Sequence, residues 1–197
     1  MFNSTTKEGN YKKVLILSAP SGAGKTTIVE HLLSKFPQLG FSVSATSRPP
    51  RKHERHGVEY HFLTLQEFKK RANAGEFIEF EEVYPGLFYG TLKSDIERIW
   101  NEGRVALFDI DVQGGINLKS IFKEEALSIF IMPPSVETLR QRLVKRGTES
   151  QELIATRVAK AAEEIEERDK FDTILINDNL EICLKEAEEI VAKFIEQ

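Results

Sequence analysis

Apolar positions along this chain fall into two alternating patterns. Unbroken apolar runs rich in branched residues occur at 13–19 (KVLILSA), from Arg104 (RVALFDID), from Ala126 (ALSIFIM) and from Asp172 (DTILIN). Such runs fit strands buried on both faces of a parallel sheet. A helix follows the first run from about Gly24 to Lys35, with Ile28, Val29, Leu32 and Leu33 inward and Pro37 as its stop. Further helices are predicted over 93–102, over 135–146 with Ser135 as N-cap, over 150–170, and from Leu180 to the C-terminus. Strands joined by helices imply right-handed crossovers and a sheet covered on both faces, an α/β fold.

Two stretches break this rhythm. Residues 41–91 read as short extended pieces (FSVSATS, VEYHFL, EFIEFEEV) around one helix at 65–74, dense in arginine, histidine and aromatics. They are expected to form an inserted α+β subdomain. Residues 134–164 are purely helical in pattern and carry Arg140, Arg142, Arg146 and Arg157. The remaining segments, 12–40, 92–133 and 165–197, compose the core, and the polar, aperiodic residues 1–11 read as a flexible tail.

Composition narrows the class. The chain has 197 residues, 41% of them hydrophobic, enough for a soluble domain with a sizeable core. With 27 basic and 31 acidic residues its net charge is −4, which argues against general binding of nucleic acid polymers. Cys183 is the single cysteine, so no internal disulfide forms. Neither a signal peptide nor an apolar run of membrane-spanning length is present, and the expectation is a cytoplasmic protein with no membrane partner.

The chemistry concentrates at the ends of the apolar runs. SAPSGAGKTT follows the first strand and opens the first helix, the context in which consecutive backbone N–H groups converge on a phosphate. Ala19 stands where G-x-x-x-x-G-K-[ST] has its first glycine, but Gly22 and Gly24 remain where a side chain would obstruct. Ala19, Pro20, Ser21, Gly22, Ala23, Gly24, Lys25, Thr26 and Thr27 therefore form a candidate ATP-phosphate cradle. Lys25 reaches the β- and γ-phosphates and the Thr26 hydroxyl serves Mg²⁺. Asp109 and Asp111 end a neighbouring strand, where a carboxylate holds a magnesium-bound water, orients a cation, or simply caps a helix. In TSRPPR, Pro49 and Pro50 stiffen the backbone between Arg48 and Arg51, so two guanidinium forks can grip a phosphate; the same turn also reads as a plain soluble loop. Arg142 and Arg146, at i and i+4, share a helix face.

Taken together, SAPSGAGKTT, SVSATSRPPR with GVEYHF, GEFIEFEEV, FYGT, LFDIDVQG, PPSVETLRQRLVKRGTE and ILIND resemble the guanylate kinases, from about Lys12 to Glu196. The resemblance implies a P-loop NTPase-like three-layer core with a GMP-binding subdomain at 41–91 and a helical lid at 134–164. It implies ATP and GMP as substrates, Mg²⁺ as the cofactor, and a monomer or homodimer. It assigns GMP to Ser44, Arg48, Arg51, Tyr60, Glu79, Tyr89, Thr91 and Asp109, with Glu79 opposite the N1–H and amino donors of guanine. It assigns the moving phosphoryl group to Lys25, Arg142, Arg146 and Arg157, an adenine-side loop to Asn177 and Asp178, and metal contacts to Thr26, Asp109 and Asp111. Arg140 reads as a solvated residue, and His31, His53, His56 and His61 have no catalytic part. VYPGLFYGT is one residue longer than the familiar GNYYG form, which leaves the path before Tyr89 open. Two other readings stand beside this one: a P-loop kinase for a ribose bisphosphate, which would need no base-reading Glu79, Ser44 and Thr91, and a non-catalytic interaction module, which would not need an intact Gly24, Lys25 and Thr26.

Overall fold

The computed structural model describes residues 12–147 and 150–196, with Arg146 described by its backbone alone; the expected tail at 1–11 lies outside the described residues. The chain begins β1 (Val14–Ser18), α1 (Lys25–Lys35), β2 (Leu39–Phe41), β3 (Ala45–Thr46), β4 (His61–Phe62) and α2 (Leu65–Asn73). It continues β5 (Phe77–Tyr84), β6 (Leu87–Leu92), α3 (Lys93–Asn101), β7 (Val105–Ile110), α4 (Val112–Phe122) and β8 (Ala126–Met132). It ends α5 (Val136–Arg146), α6 (Gln151–Glu166), β9 (Thr173–Ile176) and α7 (Leu180–Glu196).

The core is a five-stranded parallel sheet in the order β2-β7-β1-β8-β9. Alternation along β1 explains why its run is unbroken. Leu15 and Leu17 pack with Ile28 and Leu32 of α1 and with Ala187 and Val191 of α7. Val14 and Ile16 point the other way, into Ile96, Ile99 and Trp100 of α3 and Leu118 and Phe122 of α4. Helices thus cover both faces, as an α/β fold requires.

The sequence pattern did not predict α4. Gly114 and Gly115 lower its helix propensity and interrupt its apolar stripe. Contact with the sheet demands them: a Cβ on Gly115 would lie 2.3 Å from Ser18 Oγ, and one on Gly114 2.5 Å from Ile110 Cδ1. FSVSATS also divides between two sheets, because Phe41 pairs with Leu107 in the core sheet while Ala45 and Thr46 pair elsewhere.

That second sheet has the order β4-β3-β6-β5 and packs under α2, where Phe68 stacks on Phe77 at 4.4 Å between ring centroids. Thr64 and Glu67 form a capping box that fixes the start of α2. Before Tyr89 the chain turns in a tight hairpin: Tyr84 pairs with Leu87, and Gly86 takes a left-handed φ of 78°. Tyr89 itself pairs with Thr46 and Glu81. α5 and α6 form a helical pair around Leu139, Leu143, Ile154 and Ala161, with Ser135 and Ser150 as N-caps.

Candidate active site

The turn after β1 leaves the strand through Ala19 and closes with the Ala23 N–H donating to Pro20 O at 3.1 Å. Gly22 and Gly24 hold φ of 96° and 99°, a region side chains disfavour. α1 then starts at Lys25 with neither a side-chain cap nor an acidic residue in its first turn. Its first N–H groups and its positive dipole end are thus left for an external anion. Thr26 and Thr27 stand exposed on that turn.

Lys25 is aimed by the neighbouring strand. Its ammonium donates to Ile110 O at 2.8 Å and pairs with the Asp109 carboxylate. Asp111, two residues on, does different work: its Oδ1 accepts the Gly114 N–H at 2.8 Å and caps α4. Asp109 is accordingly the carboxylate turned to the loop. No group of three or more His, Cys, Asp or Glu that could hold a metal ion occurs among the described residues. Mg²⁺ accompanying a nucleotide takes most of its ligands from phosphates and water, so one hydroxyl and one carboxylate from the protein suffice. Thr26 and Asp109 fit that modest demand.

Two arginines, one on α5 and one on α6, reach the loop. Arg157 Nη1 donates to Ser21 Oγ at 2.7 Å. Arg142 Nη2 donates to Asn177 O at 2.8 Å and its Nη1 to Ala23 O at 3.4 Å. Asn177, buried after β9, donates its amide to the same Ala23 O at 2.7 Å. The loop, α5 and the segment after β9 therefore meet at one carbonyl. The side chain of Arg146 lies outside the described residues.

The inserted sheet gathers a second set. Arg48 sits with its guanidinium 5.1 Å from the Tyr60 ring centroid and 5.5 Å from that of Phe62, and Tyr60 meets Tyr89 edge-on at 5.8 Å. Both Arg48 Nη atoms donate to the carboxylate of Glu54 at 2.6 Å, and the Arg51 N–H donates to Glu54 at 2.7 Å. The Arg48 guanidinium, with the Arg51 N–H, holds the Glu54 pKa down to about 2. The exposed Arg51 side chain rises from the same turn. Glu79 and Thr91 face each other across β5 and β6, the Thr91 hydroxyl donating to Glu79 Oε1 at 2.8 Å. Burial pushes the Glu79 pKa up to about 7 despite that hydrogen bond, with the Asp111 and Glu81 charges adding to the rise. Ser44 precedes β3, its carbonyl accepting the His61 N–H at 2.8 Å.

Arg48 and Arg51 on one turn, the half-buried Glu79 carboxylate and the uncapped loop after β1 are thus spread over one chain. The sequence model of the family described as guanylate kinase matches residues 11–194. The chain belongs to the guanylate kinase family. It is 50% identical to a guanylate kinase of Bacteroides fragilis over 93% of this chain and 90% of the relative. It is likewise 50% identical to one of Porphyromonas gingivalis over 93% of this chain and 98% of the relative. The crystal structure of a guanylate kinase from Anaplasma phagocytophilum superposes with a TM-score of 0.73 at 31% identity, covering 94% of this chain and 87% of that one.

In this guanylate kinase family chain, sequence reasoning passed over Glu54, which occupies the Arg48 fork. Its only signal was its position three residues after Arg51, within reach of the turn's backbone. The tie between Arg142 and the Ala23 and Asn177 carbonyls was likewise unread, since the partners are 119 and 35 residues away.

Proposed function

We propose that this chain transfers the γ-phosphoryl group of ATP to a phosphate oxygen of GMP, giving ADP and GDP. The observation that carries the reading is the pairing of the uncapped phosphate loop, with Lys25 aimed by Asp109, with a half-buried Glu79 carboxylate bonded to the buried Thr91 on the inserted sheet. Guanine offers two parallel donors, N1–H and its exocyclic amine, which one carboxylate accepts together; adenine has no such pair. A site built this way rejects bases lacking those donors by about 10⁴-fold or more. A ribose bisphosphate leaves Glu79 without a partner, and an interaction module has no use for an intact loop; neither alternative is favoured.

In this reading, residues 12–40, 92–133 and 165–197 form the core, 41–91 the GMP-binding subdomain and 134–164 the lid. Arg48, Arg51, Tyr60 and Tyr89 hold the GMP phosphate, whose bidentate grip on Arg48 takes over from Glu54. Ser44 and Thr91 stand on the O6 side of the base. The attacking oxygen is already anionic, so no general base is required. A GMP oxygen bonds to the γ-phosphorus, the bond to the β–γ bridging oxygen breaks, and ADP leaves. Lys25, Arg146 and Arg157 neutralise the moving charge, while Arg142 holds lid, loop and the Asn177 segment together. Thr26 and Asp109 would hold Mg²⁺, which would supply charge neutralisation when bound. Lid closure keeps out water, the competing acceptor. No helix among the described residues is long and apolar enough to cross a membrane. A cytoplasmic site of action suits the lone, buried Cys183.

A coupled assay of ADP release, offering GMP, AMP, CMP, UMP and a ribose bisphosphate, tests the reading. Turnover with GMP alone, abolished in Lys25→Ala and weakened or broadened in Glu79→Ala, is the expected result. Silence with every acceptor from a folded protein that binds GMP overturns it.

A further inference from the structure

A cleft of about 280 Å³ opens on the opposite side of the inserted sheet from Arg48, Tyr60 and Glu79. Alternation along the strands creates it. Tyr60 and Phe62 turn to Arg48, and His61 between them turns into the cleft. Thr91 faces Glu79, and the next residue, Leu92, lines the cleft. His56 and Arg71 close it from the inserted side, and Asp95 and Arg98 of α3 from the core. The cleft therefore straddles the joint between the two sheets.

Its chemistry is cationic at the mouth and unfinished inside. Arg98 is committed, donating to Asp95 at 2.8 Å and to Glu102 at 3.1 Å. Arg71 is held only loosely, 3.8 Å from Glu76. His56 lies edge-on to His61 at 5.6 Å between centroids. His61 Nε2 is buried and meets no hydrogen-bond partner among the described residues. A buried polar atom without a partner is destabilising, a cost that a ligand atom at that position would remove. Burial lowers the His61 pKa, and the charges acting on the ring are Asp95, which opposes the shift, and His56, Arg71 and Arg98, which add to it. Asp95 and Glu102 neutralise Arg98, so the donors left for a ligand are Arg71, whose contact with Glu76 is long, and the unpartnered His61 ring nitrogen. Donors of this kind suit an oxyanion, and the volume suits a small phosphate ester or carboxylate rather than a whole nucleoside triphosphate.

We infer that this cleft binds a small oxyanion between His61, His56 and Arg71, and that the bound anion tightens GMP binding on the far side of the sheet. The link is short. The His61 N–H donates to Ser44 O at 2.8 Å, and Leu92 follows Thr91 directly, so a ligand that fixes His61 and Leu92 steadies two residues that read the base. The coupling rests on the GMP reading above; the binding does not.

Inorganic phosphate is the probe. With GMP and a non-hydrolysable ATP analogue saturating the catalytic sites, the imidazole resonances of His56 and His61, assigned through His56→Gln and His61→Gln, are followed by NMR during a phosphate titration. Saturable shifts of both rings are expected, with affinity at least about fivefold weaker in Arg71→Gln. No saturable shift, or equal affinity in that variant, overturns the site. Steady-state KM for GMP is then compared between wild type and Arg71→Gln, because phosphate competing at the catalytic site affects both proteins alike. Equal KM without phosphate and a KM about fivefold lower in wild type with it are expected. Saturable shifts with equal KM in both proteins overturn the coupling. Turnover of GMP in phosphate-free buffer reports separately on the proposed activity.

Discussion

Arg48 and Glu54 face each other fork to fork, both Nη atoms donating to the two carboxylate oxygens at 2.6 Å. The acid occupies the place of a phosphate and holds Arg48 extended over Tyr60. Glu54→Gln loses one charge and half of the fork, so the phosphate of GMP no longer has to displace an ion-paired carboxylate from Arg48. The expected outcome is a KM for GMP lowered about threefold or more with kcat little changed. Steady-state kinetics at saturating ATP checks it.

Lys25 lies between Asp109 and the loop that cradles phosphate. Lys25→Ala removes the charge that follows the transferring group and leaves Asp109 facing the substrate unneutralised. A fall in kcat of about 10³-fold or more is expected, with an unchanged far-ultraviolet circular dichroism spectrum. Lys25→Arg restores only a small part, since a planar fork does not replace a compact ammonium at this spot.

Glu79, with its pKa pushed up to about 7 by burial, makes two processes depend on pH. Base reading needs the carboxylate, so KM for GMP rises as pH falls from 8 to 6, and Glu79→Gln flattens that profile at a uniformly higher KM. Stability runs the opposite way. The folded pKa lies above the unfolded value near 4.5, so the native state holds the extra proton and its contribution is complete below 4.5. That contribution is lost as pH rises through 7, up to about 3 kcal/mol. Thermal unfolding at pH 5 and pH 8 is expected to show Glu79→Gln gaining on the wild type only at the higher pH.

Arg142 joins α5 to the Ala23 and Asn177 carbonyls. Arg142→Met keeps the apolar stem and removes both donors. The loop and the segment after β9 then lose their common tie, and KM for ATP is expected to rise about tenfold. GMP affinity, measured by calorimetry without ATP, is expected to stay within twofold of wild type.

Local pattern carried much of the molecule. The buried run KVLILSA became β1 because branched apolar residues facing both ways suit only a strand between two helical layers, and Ser135 and Ser150 announced α5 and α6 as N-caps. VQGGINLKSIF did not announce α4, since its glycines answer to Ser18 and Ile110, side chains far away in sequence or buried beneath it. The phosphate loop was legible because its chemistry lies in one contiguous turn, whereas Glu54 and the partners of Arg142 were not.

The sequence by itself determined the buried core strands, the helices other than α4, the cradle from Ala19 to Thr27 and the residue types able to grip phosphate, because each depends on neighbours within a few positions. Only the tertiary structure decided that Asp109 turns to Lys25 while Asp111 caps α4, that Glu79 lies half-buried against Thr91, and that His61 and Leu92 line a cleft behind the inserted sheet. Those assignments follow from which strands become neighbours and which face each side chain takes. Strand pairing brings residues 12 to 93 positions apart into hydrogen-bonding distance, and no local pattern encodes that geometry.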